Sequence, residues 1–234
     1  MKNRISILIV LIGLSMNAFA QKIEHSDWTN FLQKHVSKEG AVDYKSIKVN
    51  AAELNKYLNQ FSEISPKDSW SKNETLAYWI NAYNAFTVKL IIDNYPLKSI
   101  KDIKNPWDQE FIPINGKRLS LNHIEHDILR NMKEPRIHFS IVCASASCPK
   151  LQNKAFTSEK LEQQLTAATK EFLADVSKNK VQKENIDISK IFKWFSKDFK
   201  ETGSIIDFLN TYSEIKISQN AKTSYMDYSW ELND

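Results

Sequence analysis

Residues 135–149 of this sequence bring together side chains that can do chemistry, in a stretch that is otherwise apolar or small. His138, Cys143 and Cys148 are its reactive groups, and Arg136 precedes them. Reactive side chains of a fold often follow the end of a strand and enter an irregular loop. Because 137–143 is an apolar run, we predict a strand there that leads into a loop with both thiols.

The C-x4-C spacing of the two cysteines leaves several alternatives open. The two cysteines could form a structural disulfide or stay inert thiols, act as a redox pair, or bind zinc. Alternatively, one of them is a nucleophile that His126 or His138 activates, with Glu125 or an asparagine as third member. Residues five apart in a regular strand point to opposite faces, so His138 reaches Cys143 only if the strand ends early. The usual C-x2-C zinc spacing is missing, and we predict no metal and no cofactor.

Residues 121–131 form a predicted helix, opened by Ser120, whose apolar stripe contains a carboxylate. Glu125 lies among the apolar residues of this stripe and His126 lies at its margin, whereas His123 faces outward. A buried carboxylate needs a cation, several donors or a shifted pKa. Arg136 or His138 could be that partner, in a structural ion pair or in an acid–base site.

Residues 73–94 form a long predicted helix that is apolar on nearly all sides. Asn81 and Asn84 lie within its apolar sectors, and the predicted outer sector consists of Tyr78, Ala82, Lys89 and Asp93. An unpaired buried amide costs roughly 1–3 kcal/mol, so each asparagine needs specific partners. They either hold a loop backbone or belong to a shared polar site. We expect Asn84 and Glu125 to join one network with Arg136 or His138.

The order of elements predicts an α+β fold: a helix-rich single domain with a buried central helix packed on a small, mostly antiparallel sheet. A hairpin is expected over 110–120, because Asn115-Gly116 is a strong turn signal. Three glycines after residue 20 are too few for phosphate-binding loops such as GxGxxG. Further helices are predicted at 51–61, 157–176, 189–195 and 204–212, and further strands at 215–217 and 225–232.

The first twenty residues are typical of a secretory signal peptide. Lys2 and Arg4 precede an apolar run at 5–16, and Ala18-Phe19-Ala20 is a small–x–small cleavage pattern. We expect cleavage after Ala20, export to a bacterial periplasm, and one globular domain over 21–234 without a membrane span. The net charge falls from +4 to +2 once Lys2 and Arg4 are removed, which does not favour a nucleic-acid partner.

Five motifs resemble those of one family, the domain of unknown function DUF547. They are WINAYNAF (79–86), LNHIEHDILR (121–130), PRIHFSIVCASASCP (135–149), ISKIFKWFSKDF (188–199) and YMDYSWELN (225–233). The similarity extends over about 45–234. It implies that its motif positions here are Asn81, Asn84, Glu125, His126, Arg136, His138 and Cys143. Members often have acidic residues at 122–123, so His123 is expected to be incidental. The resemblance implies no particular reaction.

These observations favour a thiol-dependent hydrolase or acyl transferase that acts on peptide or cell-envelope material. The alternative is a non-catalytic peptide- or glycan-binding module with a structural disulfide between the two cysteines. A monomer is expected, with an unknown peptide or cell-envelope ligand. We predict as catalytic residues Cys143, His126, His138 and Glu125, and as binding residues Asn81, Asn84, Arg136 and Cys148.

Overall fold

The structure, a computed structural model, describes residues 22–201 and 203–234. The predicted signal peptide and its cleavage site lie outside the described residues. Helices and two small sheets confirm the predicted helix-rich α+β single domain. The α-helices are α1 Ser26–His35, α2 Tyr44–Val49, α3 Ala52–Glu63, α4 Lys72–Asn94, α5 Leu161–Ala174, α6 Ile191–Trp194, α7 Ser196–Phe199 and α8 Ile205–Tyr212.

Helix α4 is the buried centre of the fold. It begins at a capping box, in which the Ser71 hydroxyl accepts from the Glu74 N–H and the Glu74 carboxylate accepts from the Ser71 N–H. It packs against α2, α3 and a π-helical segment, His123–Leu129. The predicted outer sector is wrong in part, because Tyr78 and Ala82 are buried. The Tyr78 hydroxyl donates to the Ile64 carbonyl, which covers that face of the helix.

The predicted hairpin is confirmed. Strands β1 Ile112–Ile114 and β2 Lys117–Leu119 pair in antiparallel fashion on either side of Asn115 and Gly116. Both turn residues have positive φ, +50° and +70°, as the tight turns that match strand twist require.

A second sheet has the strand order β3-β4-β5, with β3 Lys180–Val181, β4 Asn185–Ile188 and β5 Lys222–Tyr225. Strands β3 and β4 are antiparallel, and β4 and β5 are parallel. The predicted strand at 215–217 is wrong. Of the predicted strand at 225–232, only its first residue lies in β5, and Glu231 and Leu232 form isolated bridges to Ser99 and Ser145.

The predicted strand at 137–143 is also wrong. The chain forms a 3-10 helix, Pro135–Phe139, and then an irregular segment. Pro135 occupies the first turn, where it is favoured. Ile137 packs in one apolar cluster with α4, whereas Phe139 packs in another with α5 to α8. The apolar run therefore indicates a segment buried on two sides. Periodicity alone does not distinguish a short buried helix from a buried strand.

Other boundaries follow local capping. Helix α8 confirms the helix predicted at 204–212, and it begins after a capping box of Ser204 and Asp207. Helix α5 begins at Leu161 and not at 157, because Thr157 makes no cap and its N–H donates to the Gln164 side chain. No helix among the described residues is both long and apolar enough to cross a bilayer.

Candidate functional site

A cavity of about 210 Å³ opens where several elements meet. They include the π-helical segment His123–Leu129, the cysteine loop (residues 143–149), helix α6, and the cover segment (residues 226–233), and Tyr83 of α4 and His138 of the 3-10 helix also line it. We call it the thiol cavity. All four predicted catalytic residues and Cys148 line it, whereas Asn81, Asn84 and Arg136 do not. Besides the phenols of Tyr83 and Tyr228, its titratable lining residues are Glu125, His126, His138, Cys143 and Cys148.

The Cys143 thiol is surrounded by hydrogen-bonding groups. Its Sγ lies 2.9 Å from Cys148 Sγ, 3.1 Å from the Ser145 hydroxyl and 3.3 Å from the Tyr228 hydroxyl. The Cys148 contact, together with the two hydroxyls, lowers the pKa of Cys143 to about 7 against the opposing effect of burial. Neither histidine is a hydrogen-bond partner of Cys143 in the described part of the chain. Thiol and hydroxyl groups, and not the expected imidazole, stabilise this thiolate.

Cys148 differs from Cys143 in exposure and acidity. Both are free cysteines, but Cys148 is buried and burial raises its pKa. The Cys143 N–H donates to Cys148 Sγ at 2.9 Å, and the Cys148 N–H donates to the Ser145 carbonyl at 3.0 Å. Ala144 has a φ of +57°, which turns the chain between the two thiols. The loop therefore holds both sulfur atoms in contact.

The cover segment closes the cysteine loop. The Ala146 N–H donates to the Glu231 carbonyl at 2.8 Å, and the Ser229 N–H donates to the Ser147 hydroxyl at 2.8 Å. These bonds bring Tyr228 over the thiols. The environment of Cys143 thus depends on residues about eighty positions away in the sequence.

Glu125 is buried beside the thiols, as the helical pattern predicts, but its expected partners are wrong. Its Oε2 accepts from the Tyr83 hydroxyl at 3.1 Å, and neither Arg136 nor His138 contacts it. Burial raises its pKa to about 7, with a further contribution from the negative charge of Cys143. Within the described residues Oε1 has no partner and is not a fully buried atom, so it reaches the cavity. Glu125 is a carboxyl group that titrates near neutral pH.

The two histidines are joined by an arginine and an aspartate. Arg130 makes two bonds to the Asp198 carboxylate, at 2.7 and 2.9 Å, and a third contact of 3.0 Å to His126 Nδ1. A guanidinium only donates, so Nδ1 accepts and neutral His126 carries its proton on Nε2. His138 Nε2 lies 2.8 Å from Asp198 Oδ2 and therefore donates. Burial lowers the pKa of both rings, which favours their neutral forms.

Arg136 lies in a separate cluster. It donates to Glu134 Oε2 at 2.7 Å and to Glu162 Oε2 at 2.8 Å, and its Nη1 contacts the Thr166 hydroxyl. These carboxylates raise its pKa further above the usual range. The cluster joins the 3-10 helix Pro135–Phe139 to α5, so the geometry gives Arg136 a structural role.

The two asparagines of α4 hold loop backbone. Asn81 donates to the Phe156 carbonyl at 2.7 Å and accepts from the Phe156 N–H at 3.0 Å. Asn84 donates to the Ser140 carbonyl at 2.8 Å and accepts from the Val142 N–H at 2.9 Å. The expected network of Asn84 with Glu125 is wrong. Asn84 instead supports the segment that enters the cysteine loop, which is the structural alternative.

Aromatic side chains form the rest of the cavity wall. The rings of Trp194 and Trp230 stack at 5.8 Å, Trp107 meets Trp230 edge-on at 5.6 Å, and the Lys101 ammonium lies 4.0 Å from the Trp230 ring centre. Trp194 is 46% exposed, which is unusual for so large an apolar residue. No lining residue is a lysine or an arginine. The cavity therefore suits an uncharged group with a flat or apolar face.

Several of these residues were absent from the sequence-based prediction. Asp198 and Trp194 fall in the motif at 188–199, and Tyr228 and Trp230 fall in the motif at 225–233. These motifs were recognised only as wholes. Tyr83 lies beside Asn84 in the first motif, but nothing in the neighbouring sequence indicates that its hydroxyl contacts Glu125.

The described residues contain no group of three or more His, Cys, Asp or Glu side chains arranged to hold a metal ion. No curated protein and no solved structure matches the chain. A family model described as "Protein of unknown function, DUF547" matches residues 67–173, a stretch that contains both asparagines of α4, Glu125 and both thiols. This match confirms, over that stretch of the chain, the resemblance to the DUF547 family that the motifs predict.

Proposed function

We propose that this protein is a thiol-dependent enzyme of acyl transfer, a hydrolase or an acyl transferase, with Cys143 as its nucleophile. One observation carries the proposal: a thiol and a carboxyl group, each with a pKa of about 7, line the same small cavity. General acid–base groups work best with a pKa near the operating pH, and a nucleophile works as its thiolate.

The reaction begins with the thiolate of Cys143 and the neutral carboxyl of Glu125. The thiolate attacks the acyl carbon, and the carbonyl oxygen takes up the negative charge. Two donors are available for that oxygen at the cavity wall: the Tyr228 hydroxyl and the Nε2–H of His126. As the tetrahedral intermediate collapses, Glu125 gives its proton to the leaving group, and a thioester on Cys143 remains.

The second half of the reaction reverses these roles. The Glu125 carboxylate takes a proton from water, or from an acceptor alcohol or amine, which attacks the thioester. The acyl group leaves on that oxygen or nitrogen, and Cys143 returns as a thiolate. Asp198 and Arg130 act through His126. They fix its proton on Nε2 and so make His126 a donor and not a base.

The proposed substrate is an acyl or amide group of peptide or cell-envelope material. The volume of the cavity and its aromatic walls support a small, uncharged acyl group. We also propose export with cleavage after Ala20, from the pattern of the first twenty residues. Mass spectrometry of the protein from its native host should find Gln21 as the first residue, and an intact Met1 would contradict export.

The test of acyl transfer uses p-nitrophenyl acetate as the probe. We expect the parent to release nitrophenol over many turnovers with an acetyl group trapped on Cys143, and Cys143→Ser to lose at least about a hundredfold. Glu125→Gln should acylate but slow the turnover that follows. The parent's turnover of this ester should rise with pH through about 7, because the attacking Cys143 thiolate and the Glu125 carboxylate that activates water both form there, and nitrophenolate leaves without a proton. Equal turnover by Cys143→Ser would refute the proposal, and Ala146→Ser is the control at an exposed position of the same loop.

A second candidate is a non-catalytic module that binds peptide or glycan. It is favoured by the exposed tryptophan wall and by the contact between the two sulfur atoms, which allows a structural disulfide. This candidate predicts no labelling of the native protein by iodoacetamide before reduction, and quenching of tryptophan fluorescence by cell-wall fragments. Fast labelling of Cys143 without a reductant excludes the structural disulfide.

A further inference from the structure

We propose a further reaction in the thiol cavity: thiol–disulfide exchange, in which Cys143 opens a substrate disulfide and Cys148 resolves the mixed disulfide. This inference depends on Cys143 as a nucleophile, which the proposed function also assumes, but it does not depend on acyl transfer. Acyl transfer uses Cys148 only as a neighbour that stabilises the Cys143 thiolate, and it does not use the reactivity of a second sulfur held in contact with the first.

The positions of the two sulfur atoms differ in the way that this reaction requires. Cys143 is only half-buried and lines the cavity, so an incoming disulfide reaches it first. Cys148 is 5% exposed, so it meets only a sulfur already attached to Cys143. The Sγ–Sγ distance of 2.9 Å is a contact from which a disulfide of about 2 Å forms by a small side-chain rotation.

The surroundings of Cys143 favour its thiolate as both attacking and leaving group. The hydroxyls of Ser145 and Tyr228 lie at 3.1 and 3.3 Å from its sulfur. Exchange rates depend on the thiolate fraction of the attacking sulfur and on the acidity of the leaving one. Groups that stabilise the thiolate also stabilise the reduced pair, and so they make the oxidised pair a better oxidant.

The reaction balances without a further reagent. The Cys143 thiolate attacks one sulfur of a disulfide R–S–S–R′, the bond between these sulfurs breaks, and R′–S⁻ leaves. Cys148 loses its proton to solvent or to the departing thiolate and attacks Cys143 Sγ, and R–S⁻ leaves. The substrate disulfide gains two electrons and becomes two thiols, while the two cysteines become a disulfide. The same steps in reverse oxidise a dithiol.

The aromatic wall indicates which disulfides fit. The rings of Trp194, Tyr228 and Trp230 face the same cavity as Cys143, and the lining carries no fixed positive charge. A disulfide beside apolar side chains of a peptide therefore suits this cavity better than one flanked by carboxylates.

The test mixes the reduced protein with oxidised glutathione and follows the products by mass spectrometry. We expect the parent to release two glutathiones per chain and to end with a Cys143–Cys148 disulfide in one linked peptide. Cys148→Ser should stop halfway, with one glutathione released and the other attached to Cys143. Cys143→Ser should release none at a comparable rate, and Ala146→Ser should behave as the parent does.

Each outcome decides between the two proposals. If the parent also stops at a stable mixed disulfide on Cys143 while it turns over p-nitrophenyl acetate, exchange is wrong and acyl transfer stands. If the linked peptide forms but no ester turns over, exchange stands alone. A Cys143 that reacts with neither probe overturns both. Because peptide mapping of the parent already identifies the linked pair, the test remains decisive even if Cys148→Ser fails to fold.

Discussion

The polar residues buried in helix α4 and the reactive groups at the thiol cavity differ in how completely their polar atoms are paired. Asn81 and Asn84 each use both ends of their amide on the backbone of one loop, with four bonds between 2.7 and 3.0 Å. Glu125 has one neutral donor for a whole carboxyl group, and Cys143 has hydroxyls and a second thiol. Complete pairing makes a scaffold, whereas incomplete pairing leaves groups whose charge can change near neutral pH.

The largest expected effect is a loss of stability when one of the fully paired asparagines of α4 is removed. Asn84→Ala leaves the Ser140 carbonyl and the Val142 N–H unpaired in the core. At roughly 1–3 kcal/mol for each group, we expect the free energy of unfolding to fall by about 4 kcal/mol. Urea denaturation measures it. The control is Asn94→Ala, at an exposed position of the same helix, and equal losses in the two variants would contradict this account.

Glu125 should show the opposite behaviour, because burial opposes its charged form. Its pKa is about 7 in the folded protein and near 4.5 in the unfolded chain. The stability that the neutral carboxyl contributes is therefore complete below pH 4.5 and is lost as the pH rises to 7. The loss is on the order of 3 kcal/mol.

Glu125→Gln tests this, since it keeps an acceptor for Tyr83 and removes the titration. We expect this component of the fall in stability between pH 4.5 and pH 7.5 to disappear in the variant. The exposed Glu110→Gln should retain the parent's profile. A Glu125→Gln profile that coincides with that of the parent would show that Glu125 is charged in the fold at all these pH values.

A smaller effect is expected on the rate at which iodoacetamide alkylates Cys143. With a pKa of about 7, Cys143 should react with iodoacetamide at pH 6 about fivefold faster than an ordinary thiol, since its larger thiolate fraction outweighs its lower nucleophilicity. Tyr228→Phe removes one donor and should slow labelling roughly twofold to threefold. Tyr225→Phe, nearby in the chain, should leave the rate unchanged. Equal labelling rates in the parent and both variants would show that the Tyr228 hydroxyl does not stabilise the Cys143 thiolate.

The smallest effect separates two histidines of one helical segment. His123 is exposed, and among the described residues its side chain pairs with Asp127 alone, at 3.0 Å, whereas His126 is held by Arg130. His123→Ala should change the free energy of unfolding by no more than about 0.5 kcal/mol and leave ester turnover intact. His126→Ala should lower turnover. A loss of turnover in His123→Ala would contradict the assignment of His126, and not His123, to the cavity.

Local patterns predicted the parts of the fold that depend on local causes. Helix α8, the Asn115-Gly116 turn and the inward faces of α4 all follow from neighbouring residues. The strand expected at 137–143 failed because an apolar run reports burial, and here the backbone groups that a strand would pair are taken by the side chain of Asn84.

The candidate site could be located from the sequence but its partners could not. Glu125 and both thiols stand out by type and position within 25 residues of one another. Their surroundings come from 42 to 85 positions away, across packed elements: Tyr83 contacts Glu125, Asp198 contacts His138 and Tyr228 contacts Cys143. Such contacts depend on tertiary packing, which no local periodicity contains. The helical wheel therefore identified a buried carboxyl and could not identify what it touches.

The cover segment has a consequence for the order in which the site acquires its properties during synthesis. Tyr228 follows Cys143 by 85 residues. At roughly 5–20 residues per second, the cysteine loop leaves the ribosome about 4 to 17 s before the phenol that will lie against it. During that interval the thiol lacks one of its donors, so it remains closer to an ordinary, sluggish thiol. The full reactivity of the thiol is then a property that the nascent chain gains when its late residues dock against the cysteine loop.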